Sequence, residues 1–269
     1  MALTLYELTG KDDRRFSPYC WRIRMALAHK GLDAAFVPVR FTDKAILDFS
    51  GQGKVPVLVD GDTTVVDSFE IACYLDDTYP DRPALFGNEI ARGTARVINH
   101  WTNSVLHGAL QPLVIGDIYQ HLADEDRAYF LETRSPRFDR SFDQVQANRD
   151  HDVIAARNAM TLLRLTLVEQ PYLSGGAPAF ADYIVLGAFQ WARSISPFKI
   201  LVDDDPVRAW RDRVLQAFDV PALVIANLRL QLENDWPVGL HFRCKFHSHP
   251  FRVDAFPEIT ELILPLHEE

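Results

Sequence analysis

The chain separates its strand-like and helix-like hydrophobic patterns into two consecutive stretches, which limits the folds it can adopt. Alternating or β-branched runs predict four strands, all of them before residue 67. These strands are predicted at 3–8, 35–39, 55–60 and 63–66. The proline within the second run favours an edge strand, because it cannot donate to a sheet ladder. Three helices accompany the strands: one from Pro18 to about Lys30, a short one near 43–49, and one that begins at Asp67–Ser68.

Beyond a break at Tyr79–Pro83, the patterns become helical. The helical stretches are predicted at 88–121, 150–168, 181–195 and 206–218, with a surface loop at 135–150. The fold class is therefore α/β plus all-α. We expect a small thioredoxin-like βαβ-α-ββα domain at 1–83, an all-helical bundle domain at 88–219, and a C-terminal extension at 220–269 whose role the sequence does not predict.

Composition excludes some partners. The formal net charge of −9 argues against nucleic acid and against an anionic membrane surface. No apolar run approaches the roughly 18 residues of a membrane span, and the N-terminus lacks a signal-peptide pattern. The three cysteines are widely scattered, which predicts no disulfide framework and favours the cytoplasm.

The run from Phe16 to Arg24 predicts a binding site as well as a helix. Ser17 is a favoured N-cap residue and Pro18 a favoured first helical residue. The free N–H groups at such a helix start attract an anion. A plain cap is the alternative explanation for Ser17. Cys20 inside the helix is predicted to be a buried hydrophobe, which makes disulfide reduction the weaker reading.

Five motifs in order resemble those of the glutathione transferase superfamily. They are Ser17–Arg22 (Ser-Pro-Tyr-Cys-Trp-Arg), Val55-Pro56, Asp67-Ser68, Tyr79–Pro83 and Phe180–Tyr183. The resemblance covers roughly residues 3 to 218. Among subgroups, the chain looks most like the bacterial β-etherases of lignin-fragment breakdown and the related fungal etherase-like transferases.

The resemblance implies glutathione as co-substrate, with Ser17 as the catalytic residue that activates its sulfur. It also implies a cis bond at Val55-Pro56, whose backbone pairs with the cysteinyl segment of glutathione. Ser68 and Asp67 would receive the γ-glutamyl group at a helix N-terminus. An edge-strand proline and a simple capping box of Asp67 with Glu70 are the alternatives.

A small hydrophobic or aromatic second substrate is expected over Ser17, between the domains. The aromatic candidates for its pocket are Phe16, Tyr19, Trp101 and Tyr119, with Trp191 as a further one. Lys54 and Lys44 are candidates for the glycine carboxylate of glutathione, with solvated surface lysines as the alternative. His107 is either an acid or a satisfied helix residue, and no proton transfer is assigned to it. The resemblance further implies a homodimer.

Three functions remain open at this point. The first is thiolate attack on an aromatic electrophile, with cleavage of a β-aryl ether and release of a phenol in aromatic catabolism. The second is general conjugation, dehalogenation or isomerisation, and the third is a non-catalytic carrier of glutathione and a hydrophobic ligand. Asp182 is expected to be structural, although Ala179 replaces the usual Ser or Thr cap before it.

The C-terminal extension offers a metal hypothesis that its own pattern weakens. Residues 240–247 alternate strictly, which predicts an extended segment. Cys244 would then point to the opposite face from His241 and His247, so that a shared metal ion is not expected.

Overall fold

A computed structural model of the protein describes residues 3–218. Its four strands form one mixed sheet in the order β2-β1-β3-β4, in which β1 pairs parallel with β2 and antiparallel with β3. The strands are β1 (Leu3–Leu8), β2 (Ala34–Val39), β3 (Val57–Asp60) and β4 (Thr63–Val66). All four predicted strands are confirmed within two residues. The strand that contains Pro38 lies at an edge of the sheet, as predicted.

Helix α1 (Pro18–Lys30) crosses from β1 to β2 and makes their parallel pairing possible. The side chain of Ser17 caps the N-terminus of this helix. The helix ends at Gly31, which adopts a left-handed conformation (φ 61°) that glycine accommodates without steric strain. A short 3-10 helix at Lys44–Ser50 precedes β3, and α2 (Ser68–Thr78) follows β4. The thioredoxin-like order predicted from the sequence is confirmed.

Eight helices follow in the described part of the chain. They are α3 (Glu89–Trp101), α4 (His107–Gln120), α5 (Asp124–Arg134), α6 (Phe142–Ala147), α7 (Arg149–Ala159), α8 (Thr161–Glu169), α9 (Phe180–Ile195) and α10 (Pro206–Gln216). A π-helical turn at Thr102–Leu106 joins α3 to α4. Among residues 3–218, no helix combines the length and apolar composition needed to cross a membrane.

Two predictions about this helical part need correction. Residues 135–150 were expected to form a loop, but they contain α6, whose Ser141 and Gln144 form a reciprocal capping box. Its sequence is polar except for two buried residues, Phe142 and Val145, so the apolar pattern was too sparse to indicate a helix. The pattern also predicted no helix at α5, which begins without a side-chain cap at Ala123.

The domain limits at 83 and 88 stay predictions; α2 ends at Thr78 and α3 begins at Glu89. The extension at 220–269, with its predicted strand and its metal hypothesis, lies outside the described residues.

Asp182 holds the start of α9 and the segment before it. The carboxylate is fully buried and accepts hydrogen bonds from the backbone N–H groups of Leu173 (2.8 Å), Ser174 (3.1 Å) and Ala179 (3.1 Å). It also accepts one from Trp210 Nε1 at 2.7 Å, which ties α9 to α10. The structural role predicted for Asp182 is confirmed.

Replacing this carboxylate is expected to destabilise the whole protein. Asp182→Asn keeps the shape but places an amide NH₂ among four donors, which leaves buried N–H groups without partners. The free energy of unfolding should fall by about 3 kcal/mol. Urea denaturation followed by circular dichroism measures this.

Asp143→Asn is the matched control, because Asp143 is an exposed carboxylate in the first turn of α6. Its effect should stay within about 0.5 kcal/mol. Equal effects of the two substitutions would contradict the role assigned to Asp182.

Candidate functional site

A cavity of about 570 Å³ lies between the thioredoxin-like part and the helical part. Ser17 and Val55 contribute from the first part, and His107 and Trp191 from the second. The carboxyl end of β1, the start of α1 and the loop before β3 therefore meet the inner face of the helical bundle here. Of the residues predicted for the site, Phe16, Ser17, Tyr19, Lys54 and Val55 line this cavity.

Ser17 combines a helix cap with a position at the cavity wall. Its Oγ accepts a hydrogen bond from the backbone N–H of Cys20 at 3.3 Å, and the residue is 5% exposed. Because the oxygen is the acceptor in that bond, the hydroxyl still has a proton to donate to a group in the cavity. The first turn of α1 contains no acidic residue. The cap and the cavity position coexist in one side chain.

The position of Ser17 depends on close packing between α1 and α9. Gly187 in α9 lies directly against the Pro18 carbonyl, and a Cβ atom at residue 187 would overlap that oxygen. Phe16 is buried beside Phe41, with ring centroids 6.1 Å apart. The start of α1 is thus held from both sides. No sequence motif marks Gly187 for this role.

Cys20 is a buried thiol and not a reactive one. Burial raises its pKa to about 12, so the thiol stays protonated and is a poor nucleophile at neutral pH. Cys73 is shifted in the same direction, to about 11, also by burial. The prediction that Cys20 acts as a small buried hydrophobe is confirmed.

The Val55–Pro56 peptide bond is cis, as the resemblance implied. Val55 lies at the cavity, while Pro56 is buried. Val55 precedes β3 and has no hydrogen bond from its backbone to another group within residues 3–218. An extended peptide in the cavity therefore has a free main-chain donor and acceptor opposite it.

Asp67 and Ser68 begin α2 and do not line the cavity itself. Asp67 adopts a positive φ of 69°, uncommon for a non-glycine residue, and its carboxylate accepts from the N–H of Phe69 at 2.8 Å. The predicted capping box is only half formed, because Glu70 pairs with Arg96 at 3.2 Å instead. Ser68 Oγ is 3.5 Å from Arg22 Nη1, which places Ser68 next to the guanidinium group of Arg22.

Arg22 is a buried cation that sequence reasoning missed as a site residue. Its guanidinium donates to the side-chain oxygens of Asn99 and Asn103, each at 2.8 Å, and lies 4.7 Å from the ring centre of Tyr19. Burial lowers its pKa to about 10, which leaves it charged at neutral pH. Arg22 therefore joins α1 to α3 and keeps a positive charge beneath the cavity.

His107 is neutral at physiological pH. Burial, and then the charge of Arg22, lower its pKa to about 3. The ring packs against Tyr19 and Trp191, with centroids 5.4 and 5.6 Å away, and its Nε2 is buried without a hydrogen-bond partner in the described structure. An imidazole that stays neutral can hydrogen-bond a ligand but cannot act as a cationic acid.

Trp101 and Tyr119 are two predicted pocket residues that the structure does not bring to this cavity. Tyr119 packs against Phe142 and under the guanidinium of Arg127. Trp101 is half-buried against the hydrophobic core at the end of α3. The prediction was wrong for both, because helical periodicity alone does not indicate which neighbour a helix face contacts. Lys44, by contrast, lines the cavity, 4.4 Å from the ring centre of Tyr129.

No group of three His, Cys, Asp or Glu side chains able to hold a metal ion occurs among residues 3–218. The features of the cavity are therefore a hydroxyl at a helix start, a free main-chain edge and nearby positive charge. All three suit an anionic peptide-like ligand.

Two family models match the chain. The N-terminal domain of glutathione S-transferase matches residues 13–83, and the C-terminal domain of glutathione S-transferase matches residues 94–213. The chain belongs to the glutathione S-transferase superfamily. The fold predicted from the sequence, a thioredoxin-like domain followed by a helical domain, is the fold of this superfamily.

Individual curated relatives match a smaller part of the chain than the two family models do. The chain is 37% identical over 112 residues to glutathione S-transferase Z2 of Arabidopsis thaliana, which is 40% of this chain and 48% of that protein. The chain thus spans about half the length of the curated relatives that it matches.

Two solved structures share the fold at low identity. A glutathione S-transferase of Ceriporiopsis subvermispora in complex with glutathione has a TM-score of 0.68 at 22% identity, over 81% of this chain and 98% of that one. β-Etherase LigF of Sphingobium sp. strain SYK-6 has a TM-score of 0.58 at 19% identity, over 86% of this chain and 100% of that one.

The buried, neutral state of His107 predicts a specific pH dependence of stability. Its pKa is about 3 when folded, against 6.5 as the ordinary value. The unfolded chain therefore binds a proton below about pH 6.5 that the folded protein does not, and stability falls as the pH drops. Relative to His107→Gln, the free energy of unfolding of the wild type should fall by about 2 kcal/mol more between pH 7 and pH 5.

Urea denaturation at both pH values measures this difference. His29 and His121 also have pKa values lowered by burial, but they are present in both proteins and their effects cancel. Parallel losses in the wild type and the variant would contradict the buried neutral state of His107.

Proposed function

We propose that this protein is a glutathione-dependent transferase in which Ser17 stabilises the glutathione thiolate. The observation that carries the proposal is the geometry of Ser17, whose Oγ caps α1 at 3.3 Å from the Cys20 nitrogen while the residue lines the cavity. A free thiol has a pKa of about 8.5. A donated hydrogen bond and the N-terminus of α1 both favour its ionised form.

Glutathione binding is proposed from three features of the site. The free backbone of Val55 suits the cysteinyl segment, and the N-terminus of α2 at Ser68, with Asp67 beside it, suits the γ-glutamyl group. Lys54 and Lys44 offer charge for the glycine carboxylate. The solved Ceriporiopsis relative, which contains glutathione and shares the fold, supports this assignment.

The proposed reaction is a displacement at carbon. The glutathione thiol loses its proton to solvent, the thiolate forms a C–S bond, and the bond from that carbon to the leaving group breaks with its electron pair. Because His107 is neutral and the cavity lining within residues 3–218 contains no Asp or Glu, neither an imidazolium nor a carboxylic acid is present there to protonate the leaving group. The leaving group must then be stable as an anion.

A phenolate meets that requirement. The proposed reaction is therefore cleavage of a β-aryl ether next to a ketone, which releases a phenol and forms a glutathione thioether. Conjugation and dehalogenation use the same step with other leaving groups. Isomerisation is the reaction to test next, because the curated relatives include a transferase named as zeta class. The homodimer remains a prediction of the family resemblance, and the cytoplasmic location remains a prediction from the scattered cysteines.

Removing the Ser17 hydroxyl should reduce the rate strongly. A hydrogen bond to a charged group contributes about 1.5–3 kcal/mol, so Ser17→Ala should lower kcat/KM by roughly tenfold to a hundredfold. Steady-state rates with glutathione and a panel of aryl ethers and aryl halides measure this, and Ser17→Thr, which keeps a hydroxyl, should retain more activity than Ser17→Ala.

Ser141→Ala is the matched control, since Ser141 also caps a helix through a 3.3 Å bond, to the Gln144 nitrogen, but lies away from the cavity. It should lose stability by about 1 kcal/mol and keep its rate. Equal rates for the wild type and Ser17→Ala would contradict the role of the hydroxyl. Tight glutathione binding by calorimetry without turnover of any substrate would favour the carrier function instead.

A further inference from the structure

All the formally charged side chains that line the cavity within residues 3–218 are cationic, although the chain as a whole is acidic. Its lining includes five cationic side chains, and none of its lining residues within 3–218 is Asp or Glu. The five are Arg40, Lys44, Lys54, Arg134 and Arg137. The formal net charge of the chain is −9, so this distribution is opposite to its composition. Such a lining attracts an anionic ligand.

These cations differ in whether a carboxylate group of the protein already pairs with them. Arg40 pairs with Asp43 at 2.9 Å and with Glu125 at 3.2 Å, and is satisfied without a ligand. Lys44 and Lys54 were proposed above for the glycine carboxylate of glutathione, and Lys44 lies 4.4 Å from the ring centre of Tyr129. Arg134 and Arg137 have no carboxylate partner in the part of the chain that the structure describes, and Arg134 has a side-chain hydrogen bond with Tyr129.

Arg134 and Arg137 both line the cavity and are close enough for their charges to interact. Arg134 is the last residue of α5, and Arg137 ends the 3-10 turn Ser135–Arg137 that follows it. Arg134 is half-buried, and burial together with the charge of Arg137 lowers its pKa. Two like charges side by side are unfavourable on their own, and an anion between them removes that repulsion.

Aromatic rings connect this pair to Ser17. The Arg134 guanidinium lies 5.7 Å from the ring centres of both Phe41 and Phe130. Phe41 in turn packs beside Phe16, the neighbour of Ser17 in sequence. A flat ligand with its charged end at Arg134 would therefore extend over apolar rings toward the hydroxyl.

We propose that the second substrate is an aromatic acid, whose carboxylate binds Arg134 and Arg137 while its ring lies against Phe41 and its reacting carbon lies at Ser17. A guanidinium suits a carboxylate because its N–H groups match both oxygens. The proposal rests on the proposed function and specifies its substrate class. It narrows the small hydrophobic or aromatic substrate expected from the sequence to one that carries a carboxylate.

The glycine carboxylate of glutathione offers the same chemistry, so the test has to separate the two sources. The probes are chlorodinitrobenzoate and its neutral methyl ester, which undergo the same chloride displacement by glutathione thiolate. Arg134→Gln and Arg137→Gln are compared with Arg127→Gln. Arg127 lies on the same helix, pairs with Asp124 at 2.8 Å and does not line the cavity.

With the acid, Arg134→Gln should lower kcat/KM by roughly tenfold to a hundredfold, because a charged hydrogen-bond pair is lost. Arg137→Gln should cause a smaller loss, since its side chain is exposed. With the ester, both variants should stay within about threefold of the wild type, and Arg127→Gln should match the wild type with both probes. The Kd of glutathione, measured by calorimetry, should not change.

Two results would overturn the proposal. One is an equal loss with acid and ester, and the other is a weaker glutathione Kd in Arg134→Gln, which would assign the pair to the glycine carboxylate. If the wild type turns over neither probe, the proposed function fails, and calorimetry with unreactive dinitrobenzoate in the presence of glutathione still tests the substrate class. Weaker binding of dinitrobenzoate by Arg134→Gln than by the wild type supports the proposed substrate class. Equal binding by the two proteins, or no binding by the wild type, contradicts it.

Discussion

The hydrogen bond from the Cys20 N–H to Ser17 Oγ is the interaction on which this account depends. It fixes the first turn of α1 and, in the same geometry, presents a hydroxyl to the cavity. The rest of the structure holds that turn in place. Gly187 allows α9 to lie directly on the Pro18 carbonyl, and Arg22 ties the second turn of α1 to α3. A capping serine becomes a candidate catalytic residue because the helical part closes over it.

The first turn of α1 and its surroundings carry positive charge, which attracts anions. The N-terminus of α1 contributes partial positive charge, and Arg22 adds a buried cation. Further cationic side chains line the cavity. His107 is excluded from this set because burial and Arg22 keep it neutral. The site therefore suits a reaction in which a thiolate and an anionic leaving group are both stabilised without acid catalysis.

Local sequence signals predicted the elements that local chemistry determines. Strand β4 followed from the β-branched run Thr63–Val66, and α1 followed from its Ser-Pro start and glycine end. Helix α5 gave no such signal, because it has no side-chain cap and a mostly polar sequence. The capped start of α1 was predictable, whereas α6 was missed despite its capping box, because only two of its residues are buried.

The site was predictable only in part, for a related reason. Ser17, Val55 and Tyr19 lie in motifs, whereas Arg134 reaches the cavity through packing between residues about ninety positions apart in sequence, such as Phe41 and Phe130. Tyr119 has suitable chemistry but packs against Phe142 of α6, and Trp101 packs against the hydrophobic core. Periodicity shows that a residue lies on a helix face, and only the tertiary structure shows what that face contacts.

The most direct test of the central claim is the pKa of the glutathione thiol on the protein. A pH titration of the complex, followed by the ultraviolet absorbance of the thiolate, measures it. Stabilisation by Ser17 and α1 predicts a pKa at least about one unit below that of the free thiol, near 8.5. A bound thiol that titrates like free glutathione would contradict the account.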